Sequence, residues 1–365
     1  AKLVHLFVIG FTTVDGKSRR HKETKKRGNL MKNVALIGCA HIHTPGFVKR
    51  LQARTDVKTV AVWDADRARS EKRGADLGAP VIDDPATVWA DSSIEGVVIC
   101  SETDIHQELV LAGAAAGKHM FIEKPLGLGK ADADAMAAAI EKAGVLFQTG
   151  YFQRGIPAHL FLKEQVEAGT FGQITRVRAS NAHSGSLGDW FTPEWLWMTD
   201  LKRGGVAAFG DLGTHALDLL LWMFGDVRRV VAETQVVTGK YGPACDETGE
   251  ALIRFTSGVI GTLAAGWVDV ADPVTFEISG TEGHAWVYDR SEVYIKSDKL
   301  GSDGKTPYTA LPEAWPHAFE LFLDALVGKD VQLVGVREAA YRSAVMEAMY
   351  RSAASLKVIA LAASA

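Results

Sequence analysis

The segment Asn33-Val-Ala-Leu-Ile-Gly-Cys-Ala-His-Ile-His-Thr-Pro-Gly46 contains a short apolar run, then a turn, then the start of a helix. Residues 34–37 are typical of a buried strand, and Phe47, Val48 and Leu51 follow with helical spacing. A strand, a tight turn and a helix in this order form the first unit of a dinucleotide-binding fold. By itself the segment is equally consistent with a βα unit that binds nothing.

The turn matches the glycine pattern G-x-G-x-x-G only at its first position, because the three glycine positions hold Gly38, Ala40 and His43. Gly38 can make the sharp turn, and Ala40 still allows a pyrophosphate to approach the backbone. His43 is bulkier than glycine, so we expect the helix to pack less closely or to start differently.

The next apolar run, residues 57–63, ends at Asp64, which lies 26 positions after Gly38. A carboxylate at the end of the second strand hydrogen-bonds the ribose hydroxyls of NAD and repels the additional phosphate of NADP. Asp64 therefore favours NAD. NADP stays possible because Arg67 and Arg69 follow closely, and Asp64 could instead cap the next helix.

Further strand-like runs at residues 97–100 and 119–122 alternate with alanine-rich helical segments, which predicts a doubly wound parallel sheet. From Gly172 the pattern changes to strand-like runs without long intervening helices, at residues 174–181, 228–237, 250–255, 259–270 and 274–279. We therefore predict an α/β Rossmann domain over residues 31–150 and an α+β domain with a large open, mostly antiparallel sheet over residues 151–365.

Two further segments carry residues suited to chemistry. Glu123-Lys124-Pro125 follows a strand at its carboxyl end, where open α/β sheets bind ligands. Asp211, His215 and Asp218 are spaced so that they share one face of a helix. Each has a plain alternative: the tripeptide could be a solvated loop, Asp211 an N-cap and His215 a core histidine.

Together with Asp64, these segments resemble the Gfo/Idh/MocA family of oxidoreductases, which includes glucose-fructose oxidoreductase and inositol dehydrogenases. The resemblance extends over nearly everything from Met31 onward. It implies catalytic roles for Lys124, which would sit beside the nicotinamide and the reacting hydroxyl, and for Asp211 and His215 as the substrate-binding and proton-transfer pair. His215 is the better base because its unperturbed pKa is near neutrality. Asp218 would support the helix.

The resemblance also implies a set of binding residues. We expect NAD to be bound by Gly38, Ala40, His41, Ile42, Asp64, Ser101, Thr103, His106, Glu123 and Lys124. We expect the substrate to be bound by Tyr151, Arg154, Trp190, Trp197, Asp211 and His215. Tryptophan rings stack on the apolar faces of sugars but also anchor loops, and Arg154 could instead pair with an acid of the fold.

Composition excludes several partners. The chain has 40 basic and 44 acidic residues among 365, so its charge gives no reason to expect nucleic acid or an anionic membrane. The three cysteines form no CxxC pair, which fits a reducing cytoplasm. We expect no metal, because the sequence implies no third ligand near His41 and His43. Residues 1–30, apolar at 3–14 and basic at 17–27, are interpreted as a disordered N-terminal extension or, alternatively, a weak anchor or oligomer arm.

These features predict an NAD(P)-dependent dehydrogenase that interconverts a secondary hydroxyl and a ketone on a sugar, glycoside or polyol, working as a homodimer or homotetramer. Two alternatives remain open. One is an NAD-dependent redox glycosidase, which would leave no net NADH. The other is a non-catalytic nucleotide-binding regulator with the same fold.

Overall fold

The computed structural model describes residues 31–362, so the interpretation of the 1–30 segment lies outside the described residues. Within the described part, no helix is long and apolar enough to cross a bilayer.

The first sheet has five parallel strands in the order β2-β1-β3-β4-β5. The strands are β1 Lys32–Ile37, β2 Val57–Trp63, β3 Gly96–Ile99, β4 His119–Ile122 and β5 Phe147–Thr149. The helices between and after them are α1 Thr44–Ala53, α2 Arg67–Leu77, α3 Ala86–Ala90, α4 His106–Ala115 and α5 Lys130–Ala143. The predicted doubly wound Rossmann sheet is confirmed.

The central strands of this sheet are apolar where helices cover both faces, whereas β2 at the edge carries the exposed Lys58. All four residues of β3 are buried, as are the last four of β1. A parallel sheet brings the carboxyl ends of β1, β2, β3 and β4 to one edge, which is where the predicted binding residues follow their strands.

Gly38 is required at the end of β1. Its φ is +79°, and a Cβ atom placed there would lie 2.5 Å from the Cα atom of Ser101. The backbone N–H of His41 then donates to the carbonyl of Cys100 at 3.0 Å. The turn is thus packed directly on the end of β3, and only glycine fits at its start.

The second sheet has nine strands in the order β13-β12-β11-β10-β6-β9-β8-β7-β14. They are β6 Ile174–Ala182, β7 Val227–Gln235, β8 Thr248–Phe255, β9 Ile260–Gly266, β10 Val274–Gly280, β11 Gly283–Tyr288, β12 Glu292–Ser297, β13 Ser302–Asp303 and β14 Ile359–Ala360. Among the described strands of this sheet, only β6 and β9 pair in parallel. The predicted mostly antiparallel sheet is confirmed, and the five predicted runs correspond to β6 through β10.

Five helices complete the described chain: α6 Pro157–Glu167, α7 Leu201–Gly204, α8 Ala208–Phe224, α9 Ala318–Leu326 and α10 Val336–Ser355. Helices α8 and α10 join the core of the second sheet. Helix α9 instead packs on the first sheet, where Phe319 stacks on Phe47 and meets Phe121 edge-on. The predicted boundary near residue 150 falls between β5 and α6, and it stays a prediction.

Candidate active site

The loop after β4 is buried at the carboxyl edge of the first sheet. Glu123 is fully buried, Lys124 is nearly so, and the Lys124–Pro125 peptide bond is cis. The Lys124 ammonium donates to Oδ1 of Asp211 at 2.5 Å and to the Asp211 carbonyl at 3.3 Å. The tripeptide is therefore not a solvated loop.

Helix α8 carries the second pair of predicted catalytic residues. Every residue of α8 except Trp222 is buried, and Asp211 lies inside its first turn rather than at the N-cap, which is Ala207. The second oxygen of Asp211 accepts a hydrogen bond from Nε1 of Trp267 at 3.0 Å. Asp211 is thus held between an ammonium and an indole.

Burial and neighbouring charges shift the pKa values of Asp211 and His215. Burial alone would raise the pKa of Asp211, but the charge and hydrogen bond of Lys124 outweigh it and lower that pKa to about 2. Burial, helped by the charge of Lys124, lowers the pKa of His215 to about 3. At neutral pH the site therefore holds an ionised Asp211 and a neutral imidazole.

The imidazole of His215 has an unused nitrogen. Its Nδ1 atom is buried without a hydrogen-bond partner in the described residues. The ring lies 5.3 Å from Phe152 and 6.2 Å from Tyr151, measured between centroids. The Tyr151 hydroxyl is hydrogen-bonded to Thr214 Oγ1 at 3.1 Å. A neutral imidazole can accept a proton, but burial removes the near-neutral pKa that favoured His215 as the base in the sequence.

Arg154 faces an acid of the fold. Its guanidinium makes a two-pronged hydrogen bond to Asp218, at 2.8 and 2.6 Å, and Arg342 contacts the same carboxylate at 2.8 Å. This is the alternative that the sequence left open for Arg154. Asp218 correspondingly ties α8 to α10 and to the segment after β5, which agrees with a supporting role.

Asp64 lies where a ribose-binding acid is expected. Its carboxylate accepts hydrogen bonds from the backbone N–H groups of Cys39, at 2.5 Å, and Asp66, at 2.7 Å. It is therefore not the cap of α2, a role that Asp66 fills. Asp64 connects the Gly38 turn to the start of α2.

The two arginines considered for a phosphate are both paired. Arg67 contacts Glu71 and Asp83, and Arg69 bridges Asp64 at 2.8 Å and Glu102 at 2.7 Å. A cleft opens beside them, between Cys39, Ala40 and the first turns of α2 on one side and residues 193–197 with Arg203 on the other. Its position at the sheet edge suits the adenosine part of a dinucleotide.

The remaining predicted cofactor residues lie in four places. His41, Thr103 and Lys124 line a narrow cavity together with Asp211 and Trp197. Ile42 and Glu123 line a neighbouring cavity. Ser101 lies beneath the Gly38 turn, whereas His106 is behind the loop, with Nδ1 against the Leu126 carbonyl at 3.2 Å.

Glu123 provides the third acidic or histidine group that the sequence did not place near His41 and His43. Within the described residues these three form one group whose potential ligand atoms lie within 4.8 Å of one another. The group is already hydrogen-bonded internally, because His43 Nδ1 is 3.0 Å from Glu123 and His41 Nδ1 accepts from the His43 backbone at 3.2 Å. The prediction of no metal stays a prediction.

The tryptophan-rich loop brings its two predicted residues to different places. Trp197 is buried, and its Nε1 donates to the carbonyl of Ala40 at 3.0 Å, so it contacts the nucleotide turn itself. Trp190 is 48% exposed and packs on His183 at a centroid distance of 4.7 Å. Trp190 therefore has a free face, while Trp197 closes the cavity beside Lys124.

Two site residues were missed by the sequence reasoning. Trp267, which is fully buried, follows β9 and bonds Asp211. Glu102 is buried and pairs with Arg69 and, at 2.8 Å, with Arg203, so it links α2 to the residues after the tryptophan-rich loop. The one local signal in the sequence for Trp267 was its position at the end of a run of small residues.

We expect acid to destabilise the fold before its carboxylates titrate. Burial lowers the pKa of His41 and His215 to about 3 and that of His159 to about 4, all from 6.5. Above pH 6.5 folded and unfolded chains are both neutral at these groups. Below pH 6.5 the unfolded chain binds three protons at these histidines that the folded chain does not bind. Each of these protons lowers the free energy of unfolding by about 1.4 kcal/mol per pH unit.

The melting temperature should therefore fall from pH 6.5 to 4.5. The His159→Gln variant should lose less stability over this interval, because unfolding takes up one proton fewer. A melting temperature that stays constant from pH 7 to 4.5 would show that these histidines are protonated in the fold.

Comparisons with known proteins cover both sheets. Residues 32–151 match the model of an oxidoreductase family with an NAD-binding Rossmann fold, and residues 159–286 match the GFO/IDH/MocA C-terminal domain. Myo-inositol 2-dehydrogenase of Thermotoga maritima is 32% identical over 63% of this chain and 67% of its own length. D-apiose dehydrogenase of Paraburkholderia graminis is 30% identical over 77% and 73%, respectively.

Other relatives are more distant. Scyllo-inositol 2-dehydrogenase (NAD(+)) of Bacillus subtilis is 26% identical, and this chain spans 66% of its length. The solved structure of levoglucosan dehydrogenase in complex with NADH and levoglucosan superimposes with a TM-score of 0.77 at 23% identity, covering 90% of this chain and 99% of that one. That likeness shows a shared fold.

Proposed function

Because this chain belongs to the Gfo/Idh/MocA family of NAD-binding oxidoreductases, we propose that it interconverts a secondary hydroxyl and a ketone on a sugar, glycoside or polyol. Relatives named as inositol and D-apiose dehydrogenases support this substrate class. The observation that carries the proposal is the buried Lys124–Asp211 pair beside a neutral His215 whose Nδ1 has no hydrogen-bond partner among residues 31–362.

Each catalytic residue has a distinct task in this proposal. His215 accepts the hydroxyl proton as the carbinol is oxidised. The Lys124 ammonium donates a hydrogen bond to the substrate oxygen and stabilises the negative charge that develops there. Asp211, held by Trp267, fixes the ammonium and also binds substrate. In the reverse direction His215 returns the proton to the reduced ketone.

The described residues fit the cofactor. When bound, NAD supplies the acceptor for the hydride of the carbinol carbon. The Gly38 turn, which has no room for a Cβ atom, and the adjoining Ala40, His41 and Ile42 would hold its pyrophosphate. Asp64 would take the adenosine ribose, and Thr103, Glu123 and Lys124 the nicotinamide half. Ser101 and His106 support these loops from below. Arg69 is already paired with Asp64 and Glu102, which supports NAD over NADP.

On the substrate side, Trp190 offers an exposed ring face for a sugar, and Trp197 closes the cavity over Lys124. Tyr151 is buried and Arg154 is committed to Asp218, so we assign them to shaping the pocket and holding α8. The two-domain division at residue 150, a homodimer or homotetramer and a cytoplasmic location stay predictions. Three buried, unpaired cysteines support the last of these.

The experiment is a substrate panel read by NADH absorbance. Purified protein with NAD is offered polyols, monosaccharides, glycosides and disaccharides, and keto sugars are offered with NADH. We expect at least one class to give NAD-dependent turnover. Cleavage of an aryl glycoside without accumulation of NADH would instead identify a redox glycosidase. NAD binding with no turnover in either direction would identify a regulator.

A further inference from the structure

Helix α8 begins without a capping side chain of its own. Its N-cap is Ala207, which offers no side-chain acceptor. The first N–H groups of a helix have no partners within the helix, and burying them unpaired is costly. Asp211 and His215 follow within the next two turns, so whatever pairs these N–H groups also fixes where the catalytic pair lies.

Asp246, from the segment just before β8, accepts hydrogen bonds from two of these N–H groups. Its side-chain Oδ2 accepts from the Phe209 N–H at 2.8 Å, and its carbonyl accepts from the Ala208 N–H at 3.2 Å. Asp246 is buried. A carboxylate here also faces the positive end of the helix dipole, which favours this arrangement.

Tyr350, from α10, is the hydrogen-bond partner of the other two N–H groups at the start of α8. Its hydroxyl oxygen accepts from the N–H of Ala207 at 3.2 Å and from that of Gly210 at 3.0 Å, and its hydrogen is donated to Asp246 Oδ1 at 3.0 Å. A hydroxyl has one hydrogen and two lone pairs, so all of its capacity is used. The ring also packs closely, since a Cβ atom on Gly210 would lie 3.0 Å from it.

We propose that Asp246 and Tyr350 are positioning residues, which set the N-terminus of α8 so that Asp211 meets Lys124 and His215 faces the reacting hydroxyl. The inference rests on the proposed function. It adds two residues that contact neither substrate nor cofactor, 35 and 139 positions after Asp211 in the chain. Small displacements of catalytic groups are enough to slow a reaction strongly.

The test compares Tyr350→Phe with Tyr341→Phe, a matched control on the same helix. The Tyr341 hydroxyl also bonds backbone, at the N–H and carbonyl of Val227, but it holds a strand rather than α8. We expect Tyr350→Phe to lower kcat about tenfold or more while KM for NAD and substrate changes little. Tyr341→Phe should lower the melting temperature about as much as Tyr350→Phe does, but it should keep the wild-type kcat.

A second readout needs no substrate. Amide hydrogen exchange of residues 207–211 should quicken in Tyr350→Phe and stay unchanged in Tyr341→Phe. Asp246→Asn, which keeps the shape but loses one acceptor, replaces Tyr350→Phe if that variant does not fold. Unchanged exchange, or faster exchange with the wild-type kcat, would overturn the proposal. A wild-type protein that turns over no carbinol or ketone would instead refute the proposed function.

Discussion

Replacing His215 by asparagine is expected to lower kcat for carbinol oxidation by about 10²- to 10⁴-fold, the usual contribution of a positioned general base. The His215 imidazole is neutral, with its pKa lowered to about 3 by burial, and its Nδ1 has no hydrogen-bond partner in the described part of the chain. The measurement is steady-state NADH formation with saturating NAD. Binding of NAD, followed by fluorescence, should change little.

His159→Gln is the matched control for this variant. His159 is buried, has an unpartnered ring nitrogen and has its pKa lowered to about 4, but it lies on α6 and bonds the Gln153 carbonyl. It should keep its kcat within about twofold, as expected for a residue outside the reacting centre. Equal losses in the two variants would mean that His215 acts through folding and not as a base.

Replacing Lys124 by methionine is expected to affect both rate and stability. The rate should fall about 10²- to 10³-fold, because the donor to the developing alkoxide is lost. Stability should fall by about 3–5 kcal/mol, because Asp211 stays buried without its counter-charge. Kinetics and chemical denaturation measure the two effects separately.

The double variant Lys124→Met/Asp211→Asn separates the two effects. Removing the carboxylate as well removes the unpaired buried charge, so much of the lost stability should return. Activity should not return. If the single variant is as stable as the wild type, the ion pair seen at 2.5 Å carries no net energy, and its role in holding the site would be refuted.

The first sheet was predictable because each signal is local. The apolar runs, the glycine at the end of β1 and the acid at the end of β2 follow from the conformational needs of single residues and turns. The structure adds the reason for Gly38, which is the backbone of Ser101 beneath it. The distance along the chain to Asp64 then followed from the length of one βαβ unit.

The catalytic group was predictable only through the resemblance. Helical spacing places Asp211 and His215 on one face, but nothing local brings Lys124 to them across 87 residues. The same limit explains the residues that were missed. Trp267, Asp246 and Tyr350 reach α8 from β9, from the start of β8 and from α10, and such contacts depend on tertiary packing rather than on periodicity.

The partner of the buried Arg154 guanidinium depends on the tertiary structure. The sequence allowed either a sugar oxygen or an acid as its partner. A nearly buried guanidinium needs a counter-charge, and Asp218 supplies both oxygens at hydrogen-bonding distance. No pattern in the sequence selects between the two, because Asp218 shares the helical face of Asp211 and His215.

The most direct test of the central claim is the stoichiometry of a complete reaction with the best substrate of the panel. NADH is measured by absorbance, and the carbohydrate product by mass spectrometry. We expect one NADH for each keto product, with the carbon skeleton and any glycosidic bond intact. A cleaved glycosidic bond with no net NADH, or NADH formed without a ketone, would contradict it.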